Sequence, residues 1–179
     1  MTPEPDQRFY SQLKNISLRS LTGVYYRTVP EQAADYILED GPSYLFKNRY
    51  NIFNEFGALY FGDREEVCRA TFEKRGLLSS RRLSFVLVSF DIEVDGLLDL
   101  TDTDNLKVLK LQREDLVQTR EKPAAYDIPQ RLAKAAYQSG RILGLHVPDA
   151  SETGNTLVLY PGRILSKQIV RVREKVLLK

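Results

Sequence analysis

The chain has 179 residues, 42% of them apolar and 28% charged, with a formal net charge of +2. This length suits one domain with a real core, and the composition is that of a soluble globular protein. The single cysteine, Cys68, excludes a disulfide framework and fits a reducing, cytoplasmic setting. No apolar run is long enough to span a bilayer, no signal-peptide pattern opens the chain, and no Cys/His cluster has metal-ligand spacing.

Residues 1–15 are polar with two prolines and read as a loose arm with a short helix at its end. "GVYYRTVP" (23–30) reads as a strand stopped by Pro30. "PEQAADYILEDG" (30–41) reads as a helix, with proline in the first turn and Gly41 as its stop. "GALYFGD" (57–63) reads as a short buried strand. "DREEVCRATFEKRG" (63–76) is the clearest helix, with Asp63 as cap, Glu66 three residues on, and Gly76 at its end.

"RLSFVLVSFDIEV" (82–94) reads as a strand, and "DLTDTDNLKVLKL" (99–111) as a turn into a short helix. "REDLVQTREKPAAY" (113–126) reads as irregular, and "IPQRLAKAAYQSG" (128–140) as a helix. Strands follow at 141–149, 155–161 and 166–178. The last alternates charge with Ile, Val and Leu, as an edge facing water does. The sum is a single α+β domain, a mixed and mainly antiparallel sheet with flanking helices.

The polar residues leave alternatives open. His146, the only histidine, lies in a strand-like stretch and reads as a structural or lining residue rather than a catalytic base. Asp99, Asp102 and Asp104 suit turn and cap duties better than a metal. Arg27 ends a strand and is either a solvated charge or a ligand contact. Arg49 lies in "NRYN" with aromatics at 46, 50, 53 and 56. Its planar fork suits phosphate, but it equally suits a salt bridge on a loop. Two arginines among aromatics fit a pyrophosphate that carries flat bases. Tyr60 is either a core residue or a ring for stacking on a base.

Four stretches in order, "VYYRTVP", "NRYNIFNEFGALYFGDREEV", "LLDLT" and "GLHVPDASETGNTLVLYP", resemble RES-domain proteins over about residues 22–165. The chain then divides into an N-terminal arm, 1–21, and a RES-like domain, 22–179. The resemblance implies a fold akin to ADP-ribosyltransferases. It also implies the toxin half of a bacterial toxin–antitoxin pair whose antitoxin carries a helix-turn-helix. The activity implied is NAD⁺ cleavage at the nicotinamide–ribose bond, with water or phosphate as acceptor and no further cofactor.

Arg27, Arg49 and Tyr60 match the family's site, with Tyr50 and Asn51 beside Arg49 as further substrate-binding candidates. Two family residues are replaced. The glutamate position, eleven after the tyrosine, is Thr71, and Glu73 lies about 200° further round a helix. The serine position after "VP" is Asp149. Thr71 and Asp149 therefore read as an exchange of hydroxyl and acid across one cleft, with Tyr60, Thr71 and Asp149 as the catalytic candidates. The alternatives are a silent RES-like nucleotide-binding or regulatory module, and an ADP-ribosyltransferase acting on a macromolecule. Direct nucleic-acid binding is disfavoured because acids balance the basic C-terminal strand. Whether the chain forms a homo-oligomer is left open.

Overall fold

The computed structural model describes residues 7–39, 41–45, 48–74, 84–118, 126–163 and 169–178. The elements in chain order are α1 (Gln7–Leu13), β1 (Arg19–Pro30), a 3₁₀ turn (Glu31–Tyr36), α2 (Gly41–Tyr44), β2 (Leu59–Gly62) and α3 (Glu65–Lys74). β3 (Phe85–Asp99), α4 (Thr103–Leu109), α5 (Arg113–Val117) and α6 (Asp127–Gln138) follow. The chain closes with β4 (Gly144–Pro148), β5 (Asn155–Leu159), a 3₁₀ turn (Pro161–Arg163) and β6 (Ile169–Leu178).

The expected α+β domain is what forms. The six strands run in the order β1-β2-β5-β4-β3-β6, and β1 also pairs with β3, so five strands close on themselves with β6 as an appended edge. β3 and β4 pair in parallel, and the remaining pairs are antiparallel. β3 bulges against β1, where the register passes from Leu21↔Val94 to Arg19↔Leu97 around Gly96 at φ +69.

The period of two along the strands divides the core into two layers. Leu59 and Phe61 of β2, with Leu157 and Leu159 of β5, face Leu21, Tyr25, Val29 and the even-numbered apolar residues of β3 from Val86 to Val94. The intervening residues Ala58, Tyr60, Val158 and Tyr160 face the opposite way, onto α1, α4, α5 and α6. Tyr60 and Phe61 therefore serve different layers although they are adjacent.

Three segments differ from the sequence reading. The arm contains a docked helix: Phe9 and Leu13 of α1, with Ile16 beyond it, are buried in the helical layer. The stretch after Pro30 forms only a 3₁₀ turn, with Ala33, Ala34 and Ile37 packed on the core, and Gly41 opens α2 instead of stopping a helix. Residues 113–117, expected irregular, form α5, started by a reciprocal capping box between Gln112 and Asp115. α3 starts at Glu65, and the Asp63 carboxylate accepts from Asn155 at 3.1 Å and Arg64 at 3.3 Å. The proposed stop at Gly76 lies outside the described residues. β6 is the expected edge strand, exposed over residues 171–177. No helix among the described residues is long and apolar enough to cross a membrane.

Candidate functional site

β1 and β2 share a single register pair, Tyr26↔Gly62, and part beyond it. Arg27 follows on one strand, with Phe61 and Tyr60 on the other. The Arg27 guanidinium lies 5.9 Å from the centre of the Phe61 ring. Its Nη1 is buried and has no hydrogen-bond partner, and no carboxylate among the described residues pairs with it. Burial pulls this group down to about 10, while nearby Cys68 and Tyr60 act the other way. It therefore stays charged at neutral pH. Arg27 as a whole is half-buried, but its enclosed Nη1 has neither partner nor counter-charge, and an incoming anion would relieve that cost.

Tyr60 is half-buried with its hydroxyl tied inward. The hydroxyl donates to Asn51 Oδ1 at 2.8 Å and accepts from the Tyr50 backbone N–H at 3.1 Å. Burial pushes the phenol well above the usual tyrosine range, against the Tyr50 hydrogen bond and the Arg49 charge. Tyr60 is thus a neutral donor, and its side chain packs against the helical layer of the core.

Arg49 is engaged by the protein itself. Its Nη1 donates to the Leu116 carbonyl at 2.7 Å and its Nη2 to the Gln118 carbonyl at 2.6 Å, and its guanidinium lies 5.0 Å from the centre of the Tyr126 ring. The fork expected to grip phosphate holds the carbonyl end of α5, where a cation is favoured.

Tyr50 and Asn51 are buried, at 2% and 0% exposure. The Tyr50 hydroxyl donates to the Leu116 carbonyl at 3.4 Å, and Asn51 Nδ2 donates to the Ser43 carbonyl at 2.6 Å. Their polar atoms bond within the protein, and two of them, the Asn51 Oδ1 and the Tyr50 N–H, take up the Tyr60 hydroxyl.

Thr71 donates its hydroxyl to the Val67 carbonyl one turn back at 3.0 Å. Asp149 accepts from the Ser151 N–H at 2.7 Å, from the Ser151 hydroxyl, and from Thr156 Oγ1 at 2.9 Å. Its charge raises both Tyr50 and Cys68. The side chain of Glu73 lies outside the described residues. Cys68 is no nucleophile: burial pushes the thiol up to about 11, and it donates to the Tyr26 carbonyl.

Two arrangements were not legible in the sequence. Asp99 joins Arg19 at 2.6 Å, His146 Nδ1 at 3.2 Å and Thr101 at 2.6 Å in a structural knot. The histidine is buried within this knot, at 7% exposure. The Asp102 carboxylate caps α4, as expected. The Gln130 side chain on α6 reaches the Arg49 loop, and nothing in its helical context signals that contact.

The fold is a closed five-stranded sheet with an appended edge strand and helices packed on one layer. The RES domain model matches residues 21–175, and the chain belongs to that family. The fold is similar to a chain of the crystal structure of the M. tuberculosis MbcT–MbcA toxin–antitoxin complex. The TM-score is 0.80 at 20% identity, over 97% of this chain and 93% of that one. No curated protein matches the chain in sequence.

Proposed function

We propose that the chain is the toxin of a toxin–antitoxin pair and that it breaks the nicotinamide–ribose bond of NAD⁺. The carrying observation is Arg27, a half-buried arginine whose enclosed Nη1 has no partner, where β1 and β2 part. A dinucleotide pyrophosphate supplies the missing anion, and the Tyr60 ring stacks on a flat base. The C1′–N bond breaks with its electron pair leaving on nicotinamide, while the oxygen of water or phosphate bonds to C1′. For water the products are ADP-ribose, nicotinamide and a proton. Asp149 is the carboxylate proposed to stabilise the cation developing on the ribose. The likeness to the toxin–antitoxin complex supports an inhibitory protein partner.

A second reading is a module that binds the nucleotide without cleaving it. It is favoured by the hydrogen bonds that already occupy both Asp149 oxygens and by threonine at position 71. Incubation of pure protein with NAD⁺ separates the two. Free nicotinamide supports cleavage, and a calorimetric binding isotherm without nicotinamide supports the silent module. Neither binding nor release overturns both.

A further inference from the structure

The first turn of α6 holds the Arg49 loop at two points. Gln130 Nε2 donates to the Asn48 carbonyl at 2.6 Å and to the Asn51 carbonyl at 3.3 Å. One turn back, Tyr126 sets its ring 5.0 Å from the Arg49 guanidinium, and its carbonyl accepts the Gln130 backbone N–H at 2.9 Å. Asn48 and Asn51 also bridge each other, so the Gln130 amide closes a tight turn across its two ends. From that turn the contacts continue to Tyr60, through Asn51 Oδ1 and the Tyr50 N–H, which together take up its hydroxyl.

We propose that Gln130 is a positioning residue. It fixes the 48–51 turn, and through Asn51 and the Tyr50 amide it sets the orientation of the Tyr60 ring toward bound nucleotide. The inference rests on the proposed function only in naming the nucleotide. The relay itself runs within the protein. An amide suits the task because its two N–H groups serve two carbonyls from one atom. Loops carrying functional side chains need such support, since a small displacement of a binding group is felt strongly in affinity.

The test uses Gln130→Met, which keeps length and removes both donors, and Gln130→Glu, whose ionised carboxylate accepts but does not donate. Native-state hydrogen exchange is read at the Tyr50 amide and at Ala135, deep in α6. The expected result is exchange at Tyr50 faster by about tenfold or more, the scale of one lost hydrogen bond, with Ala135 unchanged. ADP-ribose affinity falls about tenfold in the same variants, and any NAD⁺ cleavage loses more in KM than in kcat. An unchanged Tyr50 amide overturns the proposal, as does an equal rise at Tyr50 and Ala135, which marks a merely structural glutamine. If Gln130→Met does not fold, Gln130→Glu carries the same measurement. Wild-type protein that binds no ADP-ribose refutes the functional reading, while exchange at Tyr50 still decides the relay.

Discussion

Arg27 and Phe61 face each other where β1 and β2 stop pairing, with the guanidinium 5.9 Å from the ring centre. The ring gives the cation a partner face but no negative charge. A site that encloses an unpaired cationic N–H in this way is poorer in stability than an apolar one and better prepared for an anion.

That trade can be measured. Arg27→Met keeps most of the volume and removes the uncompensated charge. Affinity for ADP-ribose should fall by about 1.5–3 kcal/mol, the range for a hydrogen bond to a charged group. Stability of the ligand-free protein should stay level or rise. Arg27→Lys should restore little affinity, since a point charge does not reproduce the fork. Calorimetry with urea unfolding checks both, and equal affinity in wild type and Arg27→Met removes the pyrophosphate anchor.

Arg49 should behave differently. Its two donors hold α5 carbonyls, so Arg49→Ala should lower stability by about 1.5–3 kcal/mol in addition to weakening ADP-ribose binding. The free energy of urea unfolding reports the first effect. A variant as stable as wild type shows that the carbonyl clasp contributes nothing in solution.

The replaced acid gives a paired test. If Asp149 is the working carboxylate, Asp149→Asn should abolish nicotinamide release and leave ADP-ribose binding largely intact. Thr71→Glu then adds a second acid to the site, and repulsion makes one of the two harder to ionise. If the protein is silent because an acid was lost, Thr71→Glu should raise nicotinamide release from background. Release that survives Asp149→Asn and disappears in Glu73→Gln refutes both ideas.

The Asp99 knot predicts the acid limb of stability. Burial raises the Asp99 carboxyl, but hydrogen bonds from His146, Thr101 and Arg19 outweigh it and hold the group below the ordinary carboxylate range. Its folded value is lower than its unfolded value of about 3.9, so its contribution is full above that pH and is lost as pH falls further. Asp99→Asn should reduce stability at pH 7 and flatten the loss between about pH 4 and pH 2. Urea midpoints across that range test this, and parallel acid limbs in wild type and variant contradict it.

Local pattern in the sequence was enough for most elements. Short apolar runs bounded by turn residues placed β1 to β6, and the acid-rich start at Asp63 and Glu66 placed α3. Arg27, Arg49 and Tyr60 stood out because arginine among aromatics has few uses in a core. The docking of α1, the shortness of the turn after Pro30 and the existence of α5 depend on burial against distant chain, which local pattern does not carry. The same holds for the site. Sequence named the side chains that carry charge and ring, but only the tertiary structure decided which polar atoms were already taken. Arg49 turned to the carbonyls of Leu116 and Gln118, Asn51 and Tyr50 took up the Tyr60 hydroxyl, and Asp149 was wrapped by its own loop. Arg27 was left with a buried N–H and no partner. Hydrogen-bond satisfaction depends on neighbours that are, for Arg49 and Leu116, 67 residues apart in the chain, so folding alone selects the arginine that stays available for a ligand.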